Sequence, residues 1–260
     1  MAAVMPLPRG EAQPLIHGEG TPDACWLGWD GWNGIAVTDT DDLAPPGARV
    51  VIAAPHPDDE ILGSGTLLRR LALRGTPAQV VAVTDGTASH PGSPLWPPAH
   101  LAVTRPRETR AALMRLQAGD TAVLRAGLPD GAVGRHVAAL RDVLAPLLRP
   151  GDLLVATWRG DGHPDHEAVG EAAARAAADT GARLAEVPVW AWHWATPGDA
   201  RLPWARARRL AVAADESRAK ARAMAAFRSQ TQPDTSTRQP AVLGASALAR
   251  AAWPHEVYFL

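Results

Sequence analysis

The chain has 260 residues, a length that suits one large α/β domain or two small ones and lets a folded chain bury most of the surface it would expose unfolded. Hydrophobic residues make up 47% and charged residues 20%, which argues against a disordered chain or a membrane protein, and a formal net charge of -1 gives no electrostatic reason to expect nucleic acid or an anionic membrane as partner. Cys25 is the only cysteine, so an internal disulfide and a thiolate metal cluster are both excluded, and any metal must use His and carboxylate ligands.

The opening MAAVMPLPRGEAQP lacks the basic and apolar regions of a secretory signal, and no later run reaches the roughly 20 apolar residues of a membrane span, so a cytoplasmic protein is expected. Residues 1–46 are rich in Gly, Pro and Asp and carry Trp26, Trp29 and Trp32 without a sustained period, which reads as an N-terminal extension packed on a core domain of residues 47–260. RVVIAA at 49–54 is apolar on both sides, as a buried parallel strand requires. A helix over about 60–74 follows, with Ile61, Leu62, Leu68 and Leu71 inward and Gly75 as its stop.

The alternation continues through a strand in AQVVAVTD that ends at Asp85, a long loop TASHPGSPLWPPAH, a helix capped by Thr104 and running to about Leu116, and a short strand at 122–124. Then come a helix over 136–148, the buried strand DLLVAT, the loop WRGDGHPDH, and an Ala-rich helix closed by Gly181. LAEVPVWAWHW reads as a strand with Trp190, Trp192 and Trp194 on one face, RRLAVAA as another strand, and ESRAKARAMAAFRSQ as a helix. Repeated strand, loop and helix units predict an α/β fold, a Rossmann-like three-layer sandwich with a mostly parallel sheet, whose ligands lie at the carboxyl ends of the strands.

Two loops fall at that edge. APHPDDE places His56, Asp58, Asp59 and Glu60 where a strand hands over to a helix, and GHPDH places His163, Asp165 and His166 at a second such handover. Two imidazoles and one carboxylate with positions left open for water and substrate form the donor set of catalytic rather than closed structural zinc, and ferrous iron accepts the same set. APHPDDE alone also reads as a helix N-terminal capping segment, which suits Glu60 but leaves His56 unexplained. HPDH alone is weak, because Pro and Asp commonly start helices; the pairing of the loops carries the weight.

APHPDDE with a later HPDH resembles the PIG-L/LmbE family of metal-dependent N-deacetylases, over about residues 49–230, including the RPRE segment with Arg105 and Glu108 and the KARAMAAFRSQ segment. The resemblance implies His56, Asp59 and His166 as metal ligands, with zinc (Zn2+) expected and ferrous iron an alternative. It implies Asp58 as general base and His163 as the group that stabilises or protonates the tetrahedral intermediate. Asp165 or another acid would orient His163. The implied partner is a small N-acylated molecule, a sugar derivative or related amide, with no nucleic acid and no membrane span. The chemistry is coherent: bound zinc lowers the pKa of water from about 15.7 to roughly 7 and polarises the carbonyl.

Arg105 is a candidate substrate contact, weighed against a surface ion pair with Glu108 three residues on. Asp85 and Asp130 read as ordinary turn residues, and the alternating tryptophans as core. Two other functions compete with N-acyl hydrolysis. A ferrous oxygenase with a His-x-Asp…His triad would ligate through Asp58, and a non-catalytic sugar-binding domain of the same family would need neither base nor acid. Alternating helices argue against the oxygenase, and the presence of every catalytic residue type argues against the second. No glycine-rich phosphate motif follows the first strand, so no nucleotide or flavin is expected.

Overall fold

The computed structural model describes residue 18 and residues 20–260, so the opening segment read for a signal lies outside the described residues. The elements in chain order are α1 (Asp23–Leu27), β1 (Ala36–Thr38), α2 (Thr40–Leu43), β2 (Val50–Ala54), α3 (Asp59–Leu73), β3 (Ala78–Ala82), α4 (Pro98–Arg115), β4 (Ala122–Arg125) and α5 (Val137–Leu144). They continue with β5 (Leu153–Thr157), α6 (Pro164–Thr180), β6 (Arg183–Val187), α7 (Ala191–Trp194), β7 (Ala207–Ala211), α8 (Ala214–Met224), α9 (Arg228–Thr231), α10 (Ala245–Ala251) and β8 (His255–Phe259). One eight-stranded sheet has the order β1-β7-β8-β6-β5-β2-β3-β4, and only β8 runs antiparallel to its neighbours.

Strand alternation divides the core into the two outer layers of the expected sandwich. Val50, Ile52, Ala54, Val80 and Val155 pack with Ile61, Leu68, Leu113 and Ala219 of α3, α4 and α8. Their sequence neighbours Val51, Ala53, Val81, Leu154 and Ala156 pack with Leu140, Leu144, Val169 and Ala173 of α5 and α6. A period of two on strands buried on both faces produces this split, since successive side chains point to opposite sides.

Chain direction reverses at one place in the sheet. β2 leads outward through β3 to β4, and β5 then pairs on the other side of β2, parallel to it with Val50 opposite Leu153. Neighbouring parallel strands with opposite onward connections leave a crevice beyond their carboxyl ends. The loops APHPD and WRGDGH leave those two ends, so topology alone brings the two His/Asp segments together.

Helix α3 is broken at Ser64, whose φ of -145° is not helical. The break frees backbone groups that buried side chains satisfy. Glu256 accepts from the Thr66 N–H at 2.7 Å, and Lys220 Nζ donates to the Leu62 carbonyl at 2.9 Å and to Glu256 at 2.8 Å. An ion pair buried in this way is stable only because its remaining donors and acceptors are used.

Several expectations are corrected. The segment through Trp190, Trp192 and Trp194 is not a strand. β6 stops at Val187, Pro188 has no N–H for the ladder, and the Asp161 carboxylate takes the N–H groups of Val189, Trp190 and Ala191, each at 2.9 Å, starting the short helix α7. Helix α4 begins at Pro98, with proline in its first turn, so Thr104 lies in its interior and is no cap. The helix expected over ESRAKARAMAAFRSQ divides into α8 and α9. Strand β8 and the edge strand β1 have no counterpart in the sequence reading.

The first tryptophans belong to a third cluster. Trp26 is fully buried, its ring lies 5.0 Å from Trp192 and 6.2 Å from Trp253, and its Nε1 donates to the Trp192 carbonyl at 3.0 Å. Trp26→Ala is expected to destabilise the fold by about 3–5 kcal/mol, read as a lowered urea midpoint, because truncating a fully buried indole leaves a cavity. No helix among the described residues is long and apolar enough to cross a membrane.

Candidate metal centre

His56 leaves the end of β2, and Asp59 opens α3, three residues on. His166 lies in the first turn of α6, and His163 precedes that helix as its N-cap. The atoms converge on one carboxylate oxygen. Asp59 Oδ2 lies 3.2 Å from His56 Nδ1 and 3.2 Å from His166 Nε2, and it also accepts from the His56 N–H at 3.0 Å. Ligand atoms of His56, Asp59 and His166 all lie within 4.8 Å of one another. His166 is fully buried, and its Nε2 makes no hydrogen bond of acceptable geometry despite the nearby oxygen. A buried nitrogen aimed at a carboxylate without bonding it fits a cation between them. The residues present therefore fit a divalent metal with two nitrogen donors and one oxygen donor.

Both imidazoles are held from behind by carboxylates. His166 Nδ1 lies 2.8 Å from Asp161 Oδ2, and His56 Nε2 lies 3.1 Å from Asp130 Oδ1 and 3.4 Å from Asp165 Oδ2. Such partners fix the ring orientation and raise donor basicity. The residues His56, Asp130 and Asp165 form a second compact group, on the far side of the His56 ring from Asp59. Asp161→Asn is expected to weaken metal affinity about 10- to 100-fold in competition with a chromophoric chelator.

Charge in the site follows the same geometry. Burial disfavours a charged His166, yet Asp59 and Asp161 raise it to about 9, and burial likewise opposes a charged His56, which Asp130, Asp165 and Asp59 lift well above the ordinary imidazole value. Burial works against an ionised Asp59, but His166 and His56 hold its carboxyl well below the usual range. Protons drawn to these nitrogens mark a place where the fold stabilises positive charge.

Asp58 is separate from this set. Its carboxylate pairs with Arg105, Oδ2 to Nη2 at 3.1 Å, and burial pushes its carboxyl up to about 8 against the pull of that guanidinium. Asp58 has φ of 127°, a conformation that costs a non-glycine residue on the order of 1–3 kcal/mol and persists only when neighbours over-determine it. Those neighbours are present. Glu60 accepts from the Asp58 N–H at 2.9 Å, and Arg105 donates to the carbonyls of Pro57 at 2.7 Å and Gly86 at 2.8 Å. Gly86 has φ of 64°, which favours glycine, and a Cβ there would displace the Arg105 guanidinium.

The surface ion pair weighed for Arg105 and Glu108 is absent. Both are buried, and Glu108 instead accepts from the Ser229 N–H at 2.8 Å and its hydroxyl at 2.6 Å. The Asp165 carboxylate does not orient His163. It accepts from the N–H groups of Gly131 at 2.7 Å and Val133 at 3.1 Å, while His163 Nδ1 accepts from the Asp165 N–H at 3.2 Å. His163 is pushed down to about 3 by burial and by the neighbouring imidazoles, and its ring stacks at 21° on Trp190. Asp130 and Asp161 were not distinguished by sequence. Asp130 sits in a PDG turn that needs no further explanation, whereas Asp161 shares its loop with His166 and carried a usable signal.

His56, Asp58, Asp59, Arg105, His163 and Trp190 line one cleft of about 540 Å³. Clefts of about 300–1,000 Å³ take small molecules.

The family model described as PIG-L, GlcNAc-PI de-N-acetylase, matches residues 51–177, a little under half of the chain. No curated protein matches the chain by sequence. A deacetylase of teicoplanin biosynthesis is 21% identical, with a TM-score of 0.61 over 82% of this chain and 97% of its own. The zinc-inhibited form of teicoplanin deacetylase is 20% identical, with a TM-score of 0.52 over 71% and 85%. A conserved protein from Thermus thermophilus is 22% identical, with a TM-score of 0.57 over 81% and 93%. At these identities the likeness speaks for the fold, and it covers nearly the whole of two of the three relatives.

Proposed function

We propose, for a chain whose residues 51–177 belong to the PIG-L family, that it is a divalent-metal-dependent hydrolase removing an N-acyl group, an acetyl in the simplest case, from an amino sugar, glycoside or related small amide. The observation that carries the reading is the convergence of His56 Nδ1 and His166 Nε2 on Asp59 Oδ2 beside a carboxylate, Asp58, that is not part of the set.

A zinc or ferrous ion held by His56, Asp59 and His166 would supply Lewis acidity, lowering the pKa of water and polarising the amide carbonyl. Asp58 accepts the proton of the attacking water, its carboxylate lying beside the donor set without belonging to it. Arg105 holds Asp58 in its unusual backbone conformation and, as part of the cleft wall, contacts substrate. His163 donates to the tetrahedral intermediate and its leaving nitrogen, and Trp190 keeps the imidazole plane fixed. Water oxygen bonds the acyl carbon, the C–N bond breaks, and amine and carboxylate leave, the amine taking up a proton.

The ferrous oxygenase reading fits less well. It needs Asp58 as ligand, yet the compact donor groups contain Asp59 and not Asp58. A screen of N-acetylated sugars and glycosides for free-amine release tests the proposal, with zinc-loaded and ferrous-loaded protein as separate arms because a fold relative is described in a zinc-inhibited form. Release of amine from at least one acetylated amino sugar supports it. Silence across the panel with either metal overturns it.

A further inference from the structure

A second, smaller cavity of about 50 Å³ adjoins the cleft, and Leu62, Trp190 and Leu243 form walls of both. Its remaining lining is largely apolar, with Trp192 and Trp253 among it, but four polar side chains enter the lining: Lys220, Glu256, Arg250 and His255. Lys220 and Glu256 neutralise each other at 2.8 Å. Arg250 has no ion pair within 4 Å among the described residues, and its Nη2 donates to the Thr21 carbonyl at 3.2 Å. Asp23, whose Oδ1 accepts from Trp253 Nε1 at 3.0 Å, offsets its charge only from a distance.

Two nitrogens in this lining are buried without a hydrogen-bond partner among the described residues: Arg250 Nε and His255 Nε2, the latter on a residue only 8% exposed. A guanidinium and an imidazole left with unused nitrogens in an apolar wall cost free energy unless something polar reaches them. Space decides what that can be. A volume of about 50 Å³ admits a molecule of only a few non-hydrogen atoms, and acetate is of that size. The positive charge of Arg250 favours an anion, and its free Nε offers a carboxylate oxygen a charge-assisted hydrogen bond.

We propose that this chamber binds a small carboxylate, the acetate released from the substrate, beside Arg250 and His255 and behind the Trp190 and Leu243 wall of the cleft. The inference rests on the deacetylase reading for the source of the acetate, though not for its binding.

The test is therefore made without turnover. Isotope-labelled acetate is titrated by NMR into chelator-treated full-length protein, so the proposed metal ligands cannot account for binding. Saturable binding in the millimolar range is expected, weakened about tenfold or more in Arg250→Gln, because the charge-assisted hydrogen bond to the guanidinium is lost. Ala247→Leu, which fills the chamber without touching its charges, is expected to abolish binding while melting as the wild type does. Hexanoate is expected to bind more weakly than acetate. Equal acetate binding in wild type, Arg250→Gln and Ala247→Leu would overturn the proposal, as would no saturable binding by the wild type. Tighter binding of hexanoate would also overturn it, assigning the chamber to an acyl arm of the substrate. Loss of amine release in the separate substrate screen would leave this result standing and remove only the product as the source.

Discussion

Asn in place of Asp59 is expected to strip the chain of tightly bound divalent metal while leaving it folded. The substitution keeps the side chain's shape and its ability to accept from the His56 N–H, but it removes the negative charge on which two imidazole nitrogens converge. Loss of an outer partner of a metal ligand costs about 10- to 100-fold in affinity, and loss of the ligand charge itself should exceed that. His166→Ala should do the same from the other side. Elemental analysis after gel filtration reads both variants, with the wild type expected near one ion per chain. Equal retained metal in wild type and both variants would remove the ligand assignment.

Asn in place of Asp58 is expected to produce the opposite separation, keeping the metal and slowing single-turnover amine release by about 10²- to 10⁴-fold, the usual contribution of a general base. Asn tolerates positive φ better than most residues, and its carbonyl oxygen can still face Arg105 Nη2, so the backbone at 58 should hold. What disappears is the proton acceptor. Retained turnover with retained metal would show that Asp58 takes no proton in the slow step. Loss of metal in Asp58→Asn, with metal and activity kept in Asp59→Asn, would transfer the ligand role to Asp58 and revive the oxygenase triad.

Much of this geometry was legible in the sequence because the chemistry sits at strand ends. Buried parallel strands announce themselves as short two-sided apolar runs, and RVVIAA and DLLVAT each deliver a His/Asp loop to the same edge of the sheet. What could not be read is which strand lies beside which. The adjacency of β2 and β5 turns two motifs into one site, and it is a property of the assembled sheet.

The errors have a common physical origin in long-range partners that override local pattern. Trp190, Trp192 and Trp194 alternate as a strand would, but Asp161, some thirty residues earlier, caps their backbone and bends them into α7. Trp190 consequently stands at the cleft beside His163, and Trp192 in the aromatic core. Asp130 looks like a turn residue in isolation and becomes a support for His56 only through the loop after β4. β1 stayed unread because three residues at a sheet edge are too short to show a period, and its pairing with β7 spans most of the chain.

Chelation and reconstitution of the wild type decide whether His56, Asp59 and His166 hold a metal on which amide hydrolysis depends. The measurement is free-amine release from the acetylated sugar found in the screen, by protein stripped with chelator and then reloaded with graded zinc or ferrous iron, with bound metal assayed in the same samples. Stripped protein is expected to be inactive, and turnover with at least one of the two metals is expected to rise in proportion to bound metal, reaching its plateau near one ion per chain. Undiminished amine release by fully stripped protein would contradict that dependence.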